Sequence, residues 1–113
     1  MKLEVVRKIA LALPEAAEAP HFHYTSFRVR GKIFATAPPA GEHVHIFVAD
    51  EDLELALTLH PNFIEKLSWG GKVAGIRVIL AKARPQVVAG LLEKSWRRKA
   101  PKMLLRTLRS APK

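Results

Sequence analysis

The sequence has no cysteine. That removes disulfides, thiol nucleophiles and zinc–thiolate sites together, and with them any need for an oxidising compartment. No apolar run approaches the roughly 18 residues that a membrane-spanning helix requires. The opening Met1-Lys2-Leu3-Glu4 also lacks the long apolar segment of a secretory signal. A soluble cytoplasmic protein is the expectation. Catalytic patterns are equally scarce. Ser26, Ser68, Ser95 and Ser110 have no nucleophile-elbow context, and no Gly-rich phosphate loop precedes a helix. Gly70-Gly71-Lys72 is too short for a P-loop and reads as a turn into a strand. Asp50, Glu51 and Asp52 read as a helix start, not as a catalytic carboxylate pair. No enzyme is expected.

Acid is missing where base is most concentrated. The last twenty residues, KSWRRKAPKMLLRTLRSAPK, carry eight Lys or Arg and no Asp or Glu, a charge of +8. Residues 1–93 carry eleven basic against ten acidic residues and sum to +1. A near-neutral body with a cationic end suits a polyanionic partner: DNA, RNA or an anionic surface. A solubilising tail is the plainer reading of the same run. With 49% hydrophobic and 26% charged residues the chain is not of the disordered class, and 113 residues suffice for one domain. We read 1–113 as that domain, with a basic C-terminal segment at 97–113.

Hydrophobic periodicity places the elements. Leu3, Val6, Ile9, Ala10 and Leu13 fall on one stripe, an amphipathic helix ended by Pro14. The Ala- and Glu-rich stretch 15–20 reads as a connector. From Tyr24 the period becomes two: YTSFRVR, Gly31, then KIFATA, a hairpin with a tight turn at Arg30-Gly31. That register sets Val29 opposite Lys32 and Phe27 opposite Phe34. A stiffer turn, Pro38-Pro39-Ala40-Gly41, leads to a third strand at about 43–49. A helix capped by Asp50 runs to His60, and 61–72 reads as a loop with a two-glycine hinge. VAGIRVIL, 73–80, is another strand. Arg84-Pro85 then opens a long helix whose Val87, Val88, Leu91, Leu92, Ser95 and Trp96 form a buried stripe. Pro101 breaks it before a short final helix. The result is a two-layer α+β domain: an antiparallel meander with helices on one face and the other face open.

Four of the five histidines lie in two His-x-His pairs, His21/His23 and His43/His45. Residues i and i+2 of a strand share a face, so either pair could aim two imidazoles at one ion. Gly41, His43, His45 and His60 even echo a cupin pattern loosely. The chain is too helical for a cupin, however, and Ile46 to Ala49 holds no acidic ligand. His21 and His23 precede the first strand, two strands from His43. We therefore expect surface histidines and no metal or cofactor.

Several segments in order resemble the MmcQ/YjbR-like family of small bacterial proteins. They are Leu13-Pro14-Glu15, Ser26-Phe27-Arg28-Val29, Gly31-Lys32-Ile33-Phe34-Ala35, the helix near 51–59, Leu91-Leu92-Glu93-Lys94-Ser95-Trp96 and Ala100-Pro101-Lys102. The resemblance implies a frataxin-type or secretion-chaperone-like α+β fold. It also implies a proposed DNA-binding role in which two hairpin-like wings touch the duplex.

Read as chemistry, Arg28, Arg30 and Lys32 crowd one hairpin tip, with Arg28 and Arg30 on one strand face by parity. Lys72 and Arg77 are candidates for a second wing, and Arg97, Arg98, Lys99 and Lys102 for electrostatic support. Solvated outward residues of an amphipathic strand are the plainer reading of the first pair. No helix presents a base-reading pattern, so weak or sequence-tolerant, salt-sensitive binding is expected. The rival is a protein-interaction adaptor using the open sheet face through Phe22, Tyr24 and Phe47. A histidine-based metal or small-ligand site comes third.

Overall fold

α1 spans Leu3–Leu11 and buries Val6 and Ala10. Its opposite side holds Arg7, which bonds Glu4 and, at 2.8 Å, Glu18. The computed structural model describes residues 1–110. The end of the basic segment, 111–113, lies outside the described residues.

The stretch expected as a connector is a strand. β1, Ala16–His21, pairs antiparallel with β2, Tyr24–Val29, from Ala16 opposite Val29 to His21 opposite Tyr24. Its composition hides it: Ala, Glu and Pro have poor β-propensity, and Pro20 is tolerated because β1 is an edge. Tertiary pairing with β2 overrides the local preference. His21 therefore belongs to β1, and His23 to the turn that follows it.

β2 returns as β3, Lys32–Ala37, through Arg30 at φ +50° and Gly31 at φ +80°. Two consecutive positive φ values are the signature of the tight hairpin turn that matches strand twist. Val29 faces Lys32 as the sequence requires, but Phe27 faces Ala35, not Phe34. A bulge intervenes, so Phe34 and Ala35 together oppose Phe27, and all three are fully buried. One extra residue lets two neighbours in sequence reach one core.

β4, His43–Ile46, is shorter than its apolar run suggests. α2, Asp50–Leu59, follows at once. Ala49, not Asp50, occupies the N-cap, with no side-chain cap bond. Asp50, Glu51 and Asp52 sit in the first turn, where they complement the helix dipole instead. The expected loop 61–72 contains β5, Ile64–Trp69, which joins β6, Lys72–Ile79, through Gly70 and Gly71. β5 is an edge strand with charged Glu65 and Lys66 at its centre, which masks its alternation. α3, Pro85–Lys99, has Pro at its start and buries Val88, Leu91, Leu92, Ser95 and Trp96. α4, Lys102–Ser110, follows Pro101.

The six strands form one antiparallel sheet ordered β1-β2-β3-β4-β6-β5. The meander runs unbroken to β4. α2 then carries the chain past one position, so β5 takes the edge and β6 returns beside β4. One core joins Val6 of α1, Leu53 of α2, and Val88 and Trp96 of α3 to Phe27, Phe34, Val44, Ile46, Ile76 and Val78 of the sheet. Strand parity, with the bulge at Phe34, puts these sheet residues on one face, which the helices cover. Ser95 closes the layers, its hydroxyl lying 2.6 Å from the Phe34 carbonyl and 2.8 Å from that of Phe47. One hydroxyl has one proton, so the two carbonyls share it.

Candidate nucleic-acid interface

Strand direction decides where the cations gather. β3 and β6 are each antiparallel to β4, so they run the same way. The turns that precede them, Arg30-Gly31 and Gly70-Gly71, therefore project from the same end of the sheet, and the starts of β3 and β6 lie two strand spacings, or roughly 10 Å, apart. Lys32 and Lys72, both exposed, stand at the two tips. β4 ends at this side too. There the Arg98 guanidinium donates to the Phe47 carbonyl at 2.8 Å, which brings the end of α3, with Lys99, to the same place.

The structure thus brings together Lys32, Lys72, Arg98 and Lys99, drawn from both hairpins and α3. The remaining sequence candidates divide by partner. Arg30 does not share a strand face with Arg28: it is a turn residue, and its guanidinium grips Glu15 through two bonds, of 2.7 and 3.1 Å. That pairing raises the Arg30 pKa and holds the Glu15 carboxyl below its usual range. Arg28 lies back along the sheet, donating to Ser26 Oγ at 2.9 Å. Arg77 pairs with Glu65 at 3.0 Å, in the middle of the sheet and not at a tip. Arg97 pairs with Glu93 one helical turn away. Among the described residues Lys32, Lys72, Lys99 and Lys102 form no ion pair.

The open face is aromatic, from Trp69 beside the second tip to Tyr24 at the opposite end of β2. Register aligns Ser26, Thr36, His45, Arg77 and Glu65 in a row across five strands. His45 is not a surface histidine, being 4% exposed. Its ring lies 5.8 Å from that of Tyr24 and 5.9 Å from that of Trp69, and Trp69 lies 5.5 Å from Phe47. Trp69 belongs to β5 and is 47% exposed, not plugged into the core. It reaches Phe47 across β6 because Gly75 leaves the surface bare. A Cβ at Gly75 would stand 2.5 Å from the Ile46 carbonyl oxygen and 3.2 Å from the Phe47 ring. The aromatic side chains border a groove of about 540 Å³ that Tyr24, Thr36, Phe47, Trp69 and Lys99 line, with Phe22 and His23 at its rim.

Thr36 Oγ1 lies 3.3 Å from His45 Nδ1, a hydroxyl–imidazole pair, but both residues are almost wholly buried. The pair is a contact between β3 and β4. Among the described residues no three His, Asp or Glu side chains converge as metal ligands, and no helix is long and apolar enough to cross a membrane.

Burial, reinforced by the nearby positive Arg77 and by His43, pushes His45 down to about 4 from 6.5. Its folded pKa lies below its unfolded one, so the unfolded chain takes up the proton first. The contribution is complete above about pH 6.5 and is lost as pH falls through about 4, amounting to about 3 kcal/mol over the whole range. Urea unfolding at pH 7 and near pH 4.5 checks this. The wild type loses stability over that interval, and His45→Gln loses about half as much or less.

Sequence reasoning grouped Phe22, Tyr24 and Phe47 on the open face but missed that Thr36, Trp69 and Lys99 join them in one groove. Its residues come from 21–24, 33–36, 47, 69 and 99, and only the unseen β5 and the β6 glycine bring them together. It also gave no sign that Glu15 and Glu65 occupy two of the candidate arginines.

Comparison with known proteins agrees with this fold. The family model described as YjbR matches residues 11–98. The crystal structure of the Deinococcus radiodurans protein DR2400, described as a DUF419 domain, superposes with a TM-score of 0.71 at 19% identity. The match covers 84% of this chain and 75% of that one. No curated protein matches the chain.

Proposed function

The chain belongs to the YjbR family, and from that premise we propose that it is a non-enzymatic nucleic-acid-binding protein that grips the phosphates of duplex DNA with its two hairpin tips. One observation carries the reading: Lys32 and Lys72 stand on tips that project from the same sheet end, where Arg98 and Lys99 also arrive. Four cations on one edge form a local positive field that a neutral body elsewhere does not cancel. Two tips whose strands start roughly 10 Å apart suit phosphates on either side of a groove rather than base edges within it. The basic α4 begins with Lys102 and extends the field. Contacts of this type position the protein without reading sequence, so binding is sequence-tolerant.

Glu15 supplies a test that a generic charge effect does not mimic easily. Its carboxylate holds Arg30 beside the first tip. Glu15→Gln releases that guanidinium to the wing while removing a single exposed acid. Duplex affinity at low salt is expected to rise several-fold, roughly 3- to 10-fold, and Glu15→Gln combined with Arg30→Ala is expected to return it to the wild-type value or below. Fluorescence anisotropy with a labelled duplex measures both. Unchanged affinity in Glu15→Gln removes Arg30 from the interface. No measurable duplex binding by the wild type at low salt rejects the function itself.

A further inference from the structure

We propose that the aromatic groove on the open sheet face is a stacking site for unpaired bases of a single strand, separate from the phosphate contacts of the tips. The inference rests on the nucleic-acid reading and names a second substrate class for the same protein. Its basis is a combination of surface chemistry and charge. Phe22 is 91% exposed and Trp69 47%, large ring surface that a folded protein rarely leaves in water without use. Tyr24 and Phe47 continue the row, with His45 between Tyr24 and Trp69 held neutral beneath them. Neutral rings offer flat, polarisable faces to bases, and stacking tolerates any sequence because every base has a π-face.

The occupant is fixed by what surrounds the rings. Lys99 lines the groove itself, Arg98 precedes it in α3, Lys32 precedes the lining Ile33, and Lys72 pairs in register with the lining Trp69. An apolar peptide would leave the Lys99 ammonium without a partner, since no carboxylate lines the groove. A single strand instead presents bases to the rings and phosphates to the ammonium groups, the pairing used by single-strand-binding surfaces. About 540 Å³ falls within the range of small-ligand sites and is open along the sheet. Duplex DNA cannot use these rings, since its bases are already stacked and paired.

The chain reports on the site by itself. Of the two tryptophans, Trp96 is fully buried and Trp69 is exposed in the groove, so ligand-dependent quenching comes from Trp69. The probe is an oligothymidylate of about a dozen nucleotides at low salt, a length within single-strand site sizes. An abasic oligomer of equal length and charge is the control. The expected result is strong quenching by the oligothymidylate, and binding at least about tenfold weaker, without quenching, by the abasic strand. Trp69→Ala and Tyr24→Ala are each expected to cost about tenfold for the single strand and less than about twofold for duplex, while Trp69→Phe, which keeps a ring, stays near wild type. Equal binding of the abasic strand overturns the stacking site and leaves the phosphate-binding function standing. Thymidine monophosphate quenching as strongly as the oligomer overturns it in favour of a small-ligand pocket. Failure of duplex and single strand alike to bind at low salt removes both readings.

Discussion

Raising monovalent salt from about 50 to about 200 mM weakens binding of the wild-type chain to duplex DNA by roughly two orders of magnitude. The size follows from the number of cations at the sheet end. Each phosphate neutralised by Lys or Arg releases condensed counterions, so the logarithm of affinity falls with the logarithm of salt with a slope of about −0.9 per contact. Lys32, Lys72, Arg98 and Lys99 supply about four contacts, a slope near −3.6 and a loss of about 150-fold over a fourfold change in salt. Arg30 is excluded from that count because Glu15 holds it, and Arg77 because Glu65 does. A slope shallower than about −1.5 would mean that the tips do not meet phosphates together. A steeper one, near −7, would bring α4 and the rest of the basic segment into direct contact.

Trp96→Ala is expected to destabilise the fold by about 3–5 kcal/mol. Trp96 is fully buried at the junction of α3 with the core. Truncation removes most of a large aromatic surface and leaves a cavity that α1 and the bulged pair Phe34/Ala35 cannot fill without moving. The indole N–H also donates to the Pro14 carbonyl at 3.0 Å, tying α3 to the residue that ends the first helical segment. Losing it leaves a carbonyl short of a partner. A domain of this size has a total stability of only about 5–15 kcal/mol, so the variant approaches the edge of folding at 37 °C. Trp96→Phe retains the ring but not the donor and is expected to lose about half as much. Chemical denaturation followed by far-UV circular dichroism separates the two.

Legibility in the sequence tracked how local the cause was. Arg30-Gly31 marked its own turn, Arg84-Pro85 its own helix start, and the four-residue repeat from Val88 to Trp96 its own buried face. Each is set by neighbours within one turn or one hairpin. β1 and β5 escaped notice because both are edges. Their residues answer to a partner strand on one side and to water on the other, so Ala-Ala-Glu-Ala-Pro-His and Ile-Glu-Lys-Leu-Ser-Trp carry little strand signature of their own. The bulge that moved Phe34 off Phe27 was hidden for a related reason: strict alternation gives no warning of an inserted residue. Without β5, Trp69 had no strand to stand on and Gly75 no ring to admit.

The interface was legible as composition and obscure as geometry. The excess charge of residues 94–113 was plain. Which cations stay unpaired, and which end of the sheet they share, depends on Glu15, Glu65 and the crossover through α2. No window of the sequence contains all three. The separation also explains why Lys72 and Arg77, adjacent candidates on one strand, part company: one lies at a tip, the other mid-sheet beside its acid.

The most direct test of the two-tip grip compares salt slopes for charge-matched pairs of substitutions. Lys32→Ala with Lys72→Ala removes one cation from each tip. Lys2→Ala with Lys82→Ala removes two exposed cations from the opposite end of the sheet, at the start of α1 and just past the end of β6. The tip pair is expected to flatten the slope by about two and the distal pair to leave it within about 0.5 of wild type. Equal flattening by both pairs would show that net charge alone, not its gathering at one sheet end, draws the protein to DNA.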